Sequence, residues 1–93
     1  MTREEVVQKY ESGERDFQAL DLSKLDLSNI VLTDVNLTDA NLEGADLRYA
    51  NLKGADLRYA NLKGADLRYT NLEHAELYGA ILYIANRKVK VWE

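Results

Sequence analysis

The sequence predicts an all-β solenoid built from five-residue units, and three observations carry that prediction. An apolar residue recurs every five positions without a miss, at Phe17, Leu22, Leu27, Leu32, Leu37, Leu42, Leu47, Leu52, Leu57, Leu62, Leu67, Leu72, Leu77 and Leu82, fourteen consecutive units. Two positions before each centre from Leu22 on runs a second series, Leu20, Leu25, Ile30 and Val35, then alanines from Ala40 to Ala80 with Thr70 as the one exception. Finally, residues 46–55 read DLRYANLKGA, residues 56–65 repeat the same ten, and residues 66–75 read DLRYTNLEHA. A helix turns about 100° per residue, so a period of five would scatter the centres around its axis. A continuous strand alternates faces, so an odd period would send successive centres to opposite sides. Only a chain that bends once per unit lets every centre point at a common axis.

The first element is a cap. Thr2 followed three residues later by Glu5 forms a capping-box signature, Val6 and Tyr10 make a four-residue apolar stripe, and Gly13 is a stop signal. This predicts a helix over residues 3–12 within a capping segment, 1–15, whose apolar side covers the open end of the column at Phe17, Leu20 and Leu25.

The repeats follow, over residues 16–85. Ala-Asp-Leu-Arg-Tyr, Ala-Asn-Leu-Lys-Gly and Ala-Asn-Leu-Glu-Gly resemble the A-(D/N)-L-X-X motif of pentapeptide-repeat proteins. The resemblance implies a right-handed quadrilateral β-helix with four units per coil, central leucines inside, and a helix at the N-terminal end. Fourteen units then make about three and a half coils, roughly 17 Å tall at the spacing of a β-ladder. Units alternate Tyr and Gly after the centre, so with four units per coil Tyr49 stacks on Tyr69 and Tyr59 lies across the tower. Two identical ten-residue copies fit recent duplication and consensus-like engineering equally well.

The last element, residues 86–93, is a C-terminal cap. Arg87 falls where the next centre should be, so the repeat stops there. Ile81, Tyr83, Ile84, Val89, Val91 and Trp92 are expected to close this end, either within the chain or against a second copy as a homodimer.

Composition narrows the function. Ninety-three residues make one small domain, without cysteine or proline and with a single histidine, so disulfides, thiolate metal sites and histidine clusters are excluded. Residues 1–42 carry nine acids and four bases, but residues 43–75 carry five of each. A balanced centre argues against both a basic nucleic-acid-binding face and a strongly acidic one. No apolar run approaches a membrane span and the N-terminus lacks the apolar stretch of a secretory signal, so a bacterial cytoplasmic protein is expected.

Several residues invite chemistry. Asp46, Asp56 and Asp66, with Asn41, Asn51, Asn61 and Asn71, sit just before a centre; their interchange regardless of charge points to hydrogen bonds with local backbone amides instead of acid catalysis or calcium. His74 has only Glu73 and Glu76 as acidic sequence neighbours and is expected on the surface. Tyr49, Tyr59 and Tyr69 are expected to form ladders with Arg48, Arg58 and Arg68 beside them. With Lys53 and Lys63 the arginines could contact phosphate, but the interleaved aspartates favour a self-neutralised surface.

The expected function is therefore a non-enzymatic repeat scaffold or macromolecule-binding module that meets another protein through a ladder face, without cofactor, metal, nucleic acid or membrane. An engineered repeat would belong to the same class. The family resemblance implies an alternative, a DNA mimic acting on DNA gyrase, against which the charge balance and short tower weigh. A catalytic role for His74 is a second alternative.

Overall fold

The computed structural model describes residues 1–84 and 87–88, with side chains through residue 82. Helix α1 spans Arg3–Glu11. The Thr2 hydroxyl accepts from Glu5 N at 3.2 Å and Glu5 Oε1 accepts from Thr2 N at 2.8 Å, so the expected capping box is closed in both directions. The helix ends at Glu11, one residue inside the expected end, with Ser12 as the C-cap and Gly13 following at φ +96°. Val6 is fully buried, and Val7 and Tyr10 pack with Leu20 and Leu25 against the same cluster as Phe17. Tyr10 is held further by its hydroxyl, 2.7 Å from Thr33 Oγ1, and by the Arg15 guanidinium 3.6 Å from its ring centre.

From Asp16 onward the chain pairs with itself in parallel at a constant offset of twenty residues, from Asp16 with Asn36 through to Asp56 with Glu76. Four five-residue units therefore complete one coil, and each pairing residue is the one just before a centre. Coils are stitched along every side: Leu27 N donates to Asp46 O at 2.8 Å, Asp46 N to Leu25 O at 2.9 Å, and Leu47 N to Asp66 O at 2.9 Å. The sides are so short that most pairs stand as single rungs. Regular strands form at β1 (Asn61–Leu62) and β2 (Ile81–Ile84), which pair in parallel, and β3 (Arg87–Lys88) pairs antiparallel with β2.

Corners have a common construction. The amide three residues after a centre donates back to the centre's carbonyl, as Ala50 N does to Leu47 O at 3.0 Å, and the residue two after the centre has a positive φ in every unit from Phe17 to Leu77. That combination is the mark of a type II turn, whose third residue favours Gly or Asn. Gly44, Gly54, Gly64 and Gly79 occupy this position, but so do Tyr49, Tyr59, Tyr69 and His74 at φ of +60° to +62°.

The interior holds the centres. Phe17 through Leu62 are essentially inaccessible and Leu77 nearly so, whereas Leu67, Leu72 and Leu82 are only half-buried. The expectation of a uniformly filled interior thus fails towards the C-terminal end. Twenty residues beyond Leu67 and Leu72 the sequence has Arg87 and Trp92, so no further leucine covers them. Beside the centres, Ala40 to Ala60 are buried, and Thr70, the exception, directs its hydroxyl to Leu47 O at 2.7 Å. The larger Leu20, Leu25 and Ile30 belong to the first coil, where they meet the helix cap. Of the expected C-terminal lid, the backbone of Tyr83 and Ile84 lies in β2 and Ile81 is partly exposed, while Val89, Val91 and Trp92 lie outside the described residues.

Candidate interaction surface

Among the described residues, the ladder sides carry the regular arrays of charged and aromatic side chains. Wherever the residue before a centre is Asp or Asn, it is fixed first. Its side-chain oxygen accepts from the amide two residues on, at 3.1 Å from Asp16 to Gln18, 3.0 Å from Asn36 to Thr38, 3.1 Å from Asp46 to Arg48 and 3.0 Å from Asn71 to Glu73. Asp and Asn offer the same acceptor there, which accounts for their interchange. Val31, with no such acceptor, is exposed at this position and lines a shallow groove of about 290 Å³ with Arg3, Val7, Tyr10, Glu11, Asn29 and Ile30.

On the side that carries Leu47 and Leu67, the aspartates do a second job. Arg48 Nε and Nη2 donate to Asp46 Oδ1 and Oδ2 at 2.9 and 2.7 Å, and Arg68 makes the same fork with Asp66. Arg48 also stands 3.8 Å from Asp66 in the next coil, so the pairs join into a ladder. Arg3 of α1 reaches Asp26, 3.8 Å from its carboxylate, and extends the ladder to the cap. Hydrogen bonds from the Arg48 side chain and backbone pull the Asp46 carboxyl down to about 2; Arg68 lowers Asp66 in the same way. At the adjoining corner the Tyr49 and Tyr69 rings stack, centroids 5.0 Å apart and 11° from parallel.

Across the tower Arg58 forks onto Asp56 at 2.8 and 2.6 Å and lies 3.9 Å from Glu76. Tyr59 meets Tyr78 edge-on at 5.7 Å. The expected Tyr49–Tyr69 stack and the placement of Tyr59 on the far side are both found. The expected arginine–tyrosine ladder is not: the arginines go to aspartates, because a carboxylate two residues away offers two charge-assisted bonds that an aromatic face cannot match. Tyr78 was not anticipated; it stands at the position that holds Arg48, Lys53, Arg58, Lys63 and Arg68 in the central units, and only the Ala-Glu-Leu-Tyr-Gly break in the pattern signals it.

His74 is exposed at its left-handed corner, with Nε2 3.4 Å from Glu73 Oε1. Glu73 also faces Lys53 at 3.7 Å. These contacts make a surface cluster of exposed charged side chains. Among the described residues no group of three or more His, Cys, Asp or Glu is placed to hold a metal ion, and no helix is long and apolar enough to cross a membrane.

Comparison with known proteins follows the same architecture. Residues 16–48 and 45–82 match the description "Pentapeptide repeats", in eight copies. A pentapeptide repeat protein from the cyanobacterium Cyanothece 51142 is similar in structure at a TM-score of 0.65 and 38% identity, covering 84% of this chain and 54% of its own. Another, from Nostoc Pcc 7120, gives a TM-score of 0.52 and 37% identity, covering 87% of this chain and 75% of its own. The chain thus spans about half the length of the first of these relatives. No curated protein sequence matches it closely.

Proposed function

The chain belongs to the pentapeptide-repeat family, and from that premise we propose that it is a non-enzymatic scaffold or protein-interaction module whose ladder sides dock another macromolecule. Members of the family are right-handed quadrilateral β-helices and serve in general as scaffolds or interaction modules. At four units per coil, the fourteen units of this chain make about three and a half coils. The observation that carries the reading is the outer surface: regular rungs of forked Asp–Arg pairs with exposed tyrosines at the corners. Exposed Tyr and Arg on a rigid frame are the residue types that dominate protein–protein contacts.

The DNA-mimic alternative gains nothing from this surface. Duplex DNA presents one unneutralised charge about every 1.7 Å of axis, whereas here each Asp of the three Asp-Leu-Arg units is forked by its own Arg. On this reading the chain is a cytoplasmic protein-binding scaffold and not a nucleic-acid mimic. Two measurements test it. A DNA gyrase supercoiling assay with micromolar protein should show neither inhibition nor protection. Affinity capture should retain a partner on the native chain and lose it when Arg58→Glu and Tyr59→Gly alter one ladder side. Gyrase inhibition, or a catalysed turnover abolished by His74→Ala, would overturn the scaffold reading.

A further inference from the structure

The side that carries Leu47 and Leu67 reads the same on two consecutive rungs. From corner to corner the lower rung is Gly44, Ala45, Asp46, Leu47, Arg48, Tyr49, and the rung twenty residues on is Gly64, Ala65, Asp66, Leu67, Arg68, Tyr69. Alternation turns alanine and leucine inward, leaving Asp and Arg facing out between two corners. One corner carries glycine on both rungs: a Cβ on Gly64 would sit 3.8 Å from Gly44 N, and a Cβ on Gly44 would sit 3.5 Å from the Lys24 stem of the rung below, so the recess is open at Gly64 and narrowed at Gly44. The other carries the stacked Tyr49 and Tyr69 rings, 59% and 75% exposed. Reading across, the side is gap, acid, base, knob, twice over.

Such a side is complementary to itself under one symmetry operation. A two-fold axis parallel to the tower exchanges left and right while keeping height. It lays the Asp46 and Asp66 column of one copy over the Arg48 and Arg68 column of the other, and the tyrosine corner over the glycine corner. Rungs match because both copies share one ladder spacing. A two-fold axis across the tower would instead set acid on acid and tyrosine on tyrosine. We infer that this side is a self-association surface, taking a second copy of the chain with the two towers side by side and parallel.

Side chains at left-handed corners are common in this chain, at nine of the thirteen positive-φ corners from Ala19 to Gly79, so strain alone does not single out Tyr49 and Tyr69. What does is that these two rings stack, stand exposed, and share their rungs with a glycine at the opposite corner. Two such rungs are smaller than the roughly 1,200–2,000 Å² buried in stable interfaces, so the dimer is weak and concentration-dependent.

This deepens the scaffold reading by naming one occupant of a ladder side, and its test is separate from capture of a foreign partner. Sedimentation velocity of the full chain from about 10 µM to about 1 mM should show a reversible monomer–dimer equilibrium. The pair Tyr49→Gly with Tyr69→Gly, compatible with the corner backbone, should weaken the dimer at least about tenfold while leaving the monomer no less stable. A basic variant, Asp46→Arg with Asp66→Arg, and an acidic one, Arg48→Asp with Arg68→Asp, should each be monomeric alone and associate when mixed. The native chain remaining monomeric at millimolar concentration overturns the inference. So does a dimer that the tyrosine pair does not weaken, which would place association elsewhere, such as the C-terminal end. Failure of folded charge variants to associate when mixed has the same consequence.

Discussion

A single backbone angle governs much of the residue-scale chemistry. Each corner needs a left-handed residue, and where the chain supplies a side chain there it accepts strain. His74, at φ +61°, is exposed, and its contact with Glu73 at 3.4 Å lies at the surface, where such pairs contribute little to offset the cost. His74→Gly is therefore expected to stabilise the fold by about 1 kcal/mol, the steric relief exceeding the entropy of the new glycine; urea denaturation of the two proteins measures it. Charge at the residue scale is tested by pH. Asp46→Asn keeps the acceptor for Arg48 N but removes the fork. The Asp46 carboxyl is lowered from 3.8 to about 2 in the folded chain, mainly by the Arg48 hydrogen bond. A depressed folded value means the contribution is fully present above the unfolded value and disappears as pH falls through the folded one. The native chain should thus melt above Asp46→Asn at pH 6, and the gap should close between about pH 4 and about pH 2.

The two residue types flanking each centre were unequally legible. Asp–Asn interchange announced a shared backbone acceptor. The left-handed corner was also written in the sequence, since Gly44, Gly54, Gly64, Gly79 and Asn29 all occupy it, but Tyr49, Tyr59 and Tyr69 obscured it by drawing attention to their rings. For the arginines, neutralisation by the interleaved aspartates was legible, but the forked geometry within each unit was not. Whether Arg48 lies over a ring or forks onto Asp46 depends on side-chain direction, which periodicity does not encode.

Among the elements, α1 was readable almost to the residue because its capping box is local chemistry. Its role depends on Val6, which is fully buried at the N-terminal end of the column. Val6→Asp puts a carboxylate against Phe17 and the first coil without a partner, and should cost several kcal/mol, with circular dichroism showing a lowered melting temperature. Tyr10 anchors the same helix to Thr33 and Arg15, so the helix is expected to detach from the coils only when this apolar seat is lost. The antiparallel pairing of β2 with β3 escaped the sequence reading. Once Arg87 interrupts the five-residue period, the residues that follow carry a two-residue alternation but no sign of which strand they pair with.

For the whole molecule, the constant twenty-residue offset makes stability a sum of nearest-neighbour contacts between coils. A centre with a leucine both below and above it matters most. Leu57 is fully buried with Leu37 and Leu77 in register on either side, whereas Leu72 is half-buried and has Leu52 on one side and no leucine on the other. The same substitution should therefore act very differently by height in the tower. Leu57→Asp places a charge in the middle of the column with no polar partner, and cooperative unfolding should be abolished. Leu72→Asp starts from a half-buried site and can turn its carboxylate towards solvent, so the chain should still fold cooperatively with a reduced melting temperature. Thermal melts followed by circular dichroism distinguish the two. Equal loss from both substitutions would mean that the coils fold as one indivisible core, and an unchanged melt for Leu57→Asp would contradict a continuous leucine column.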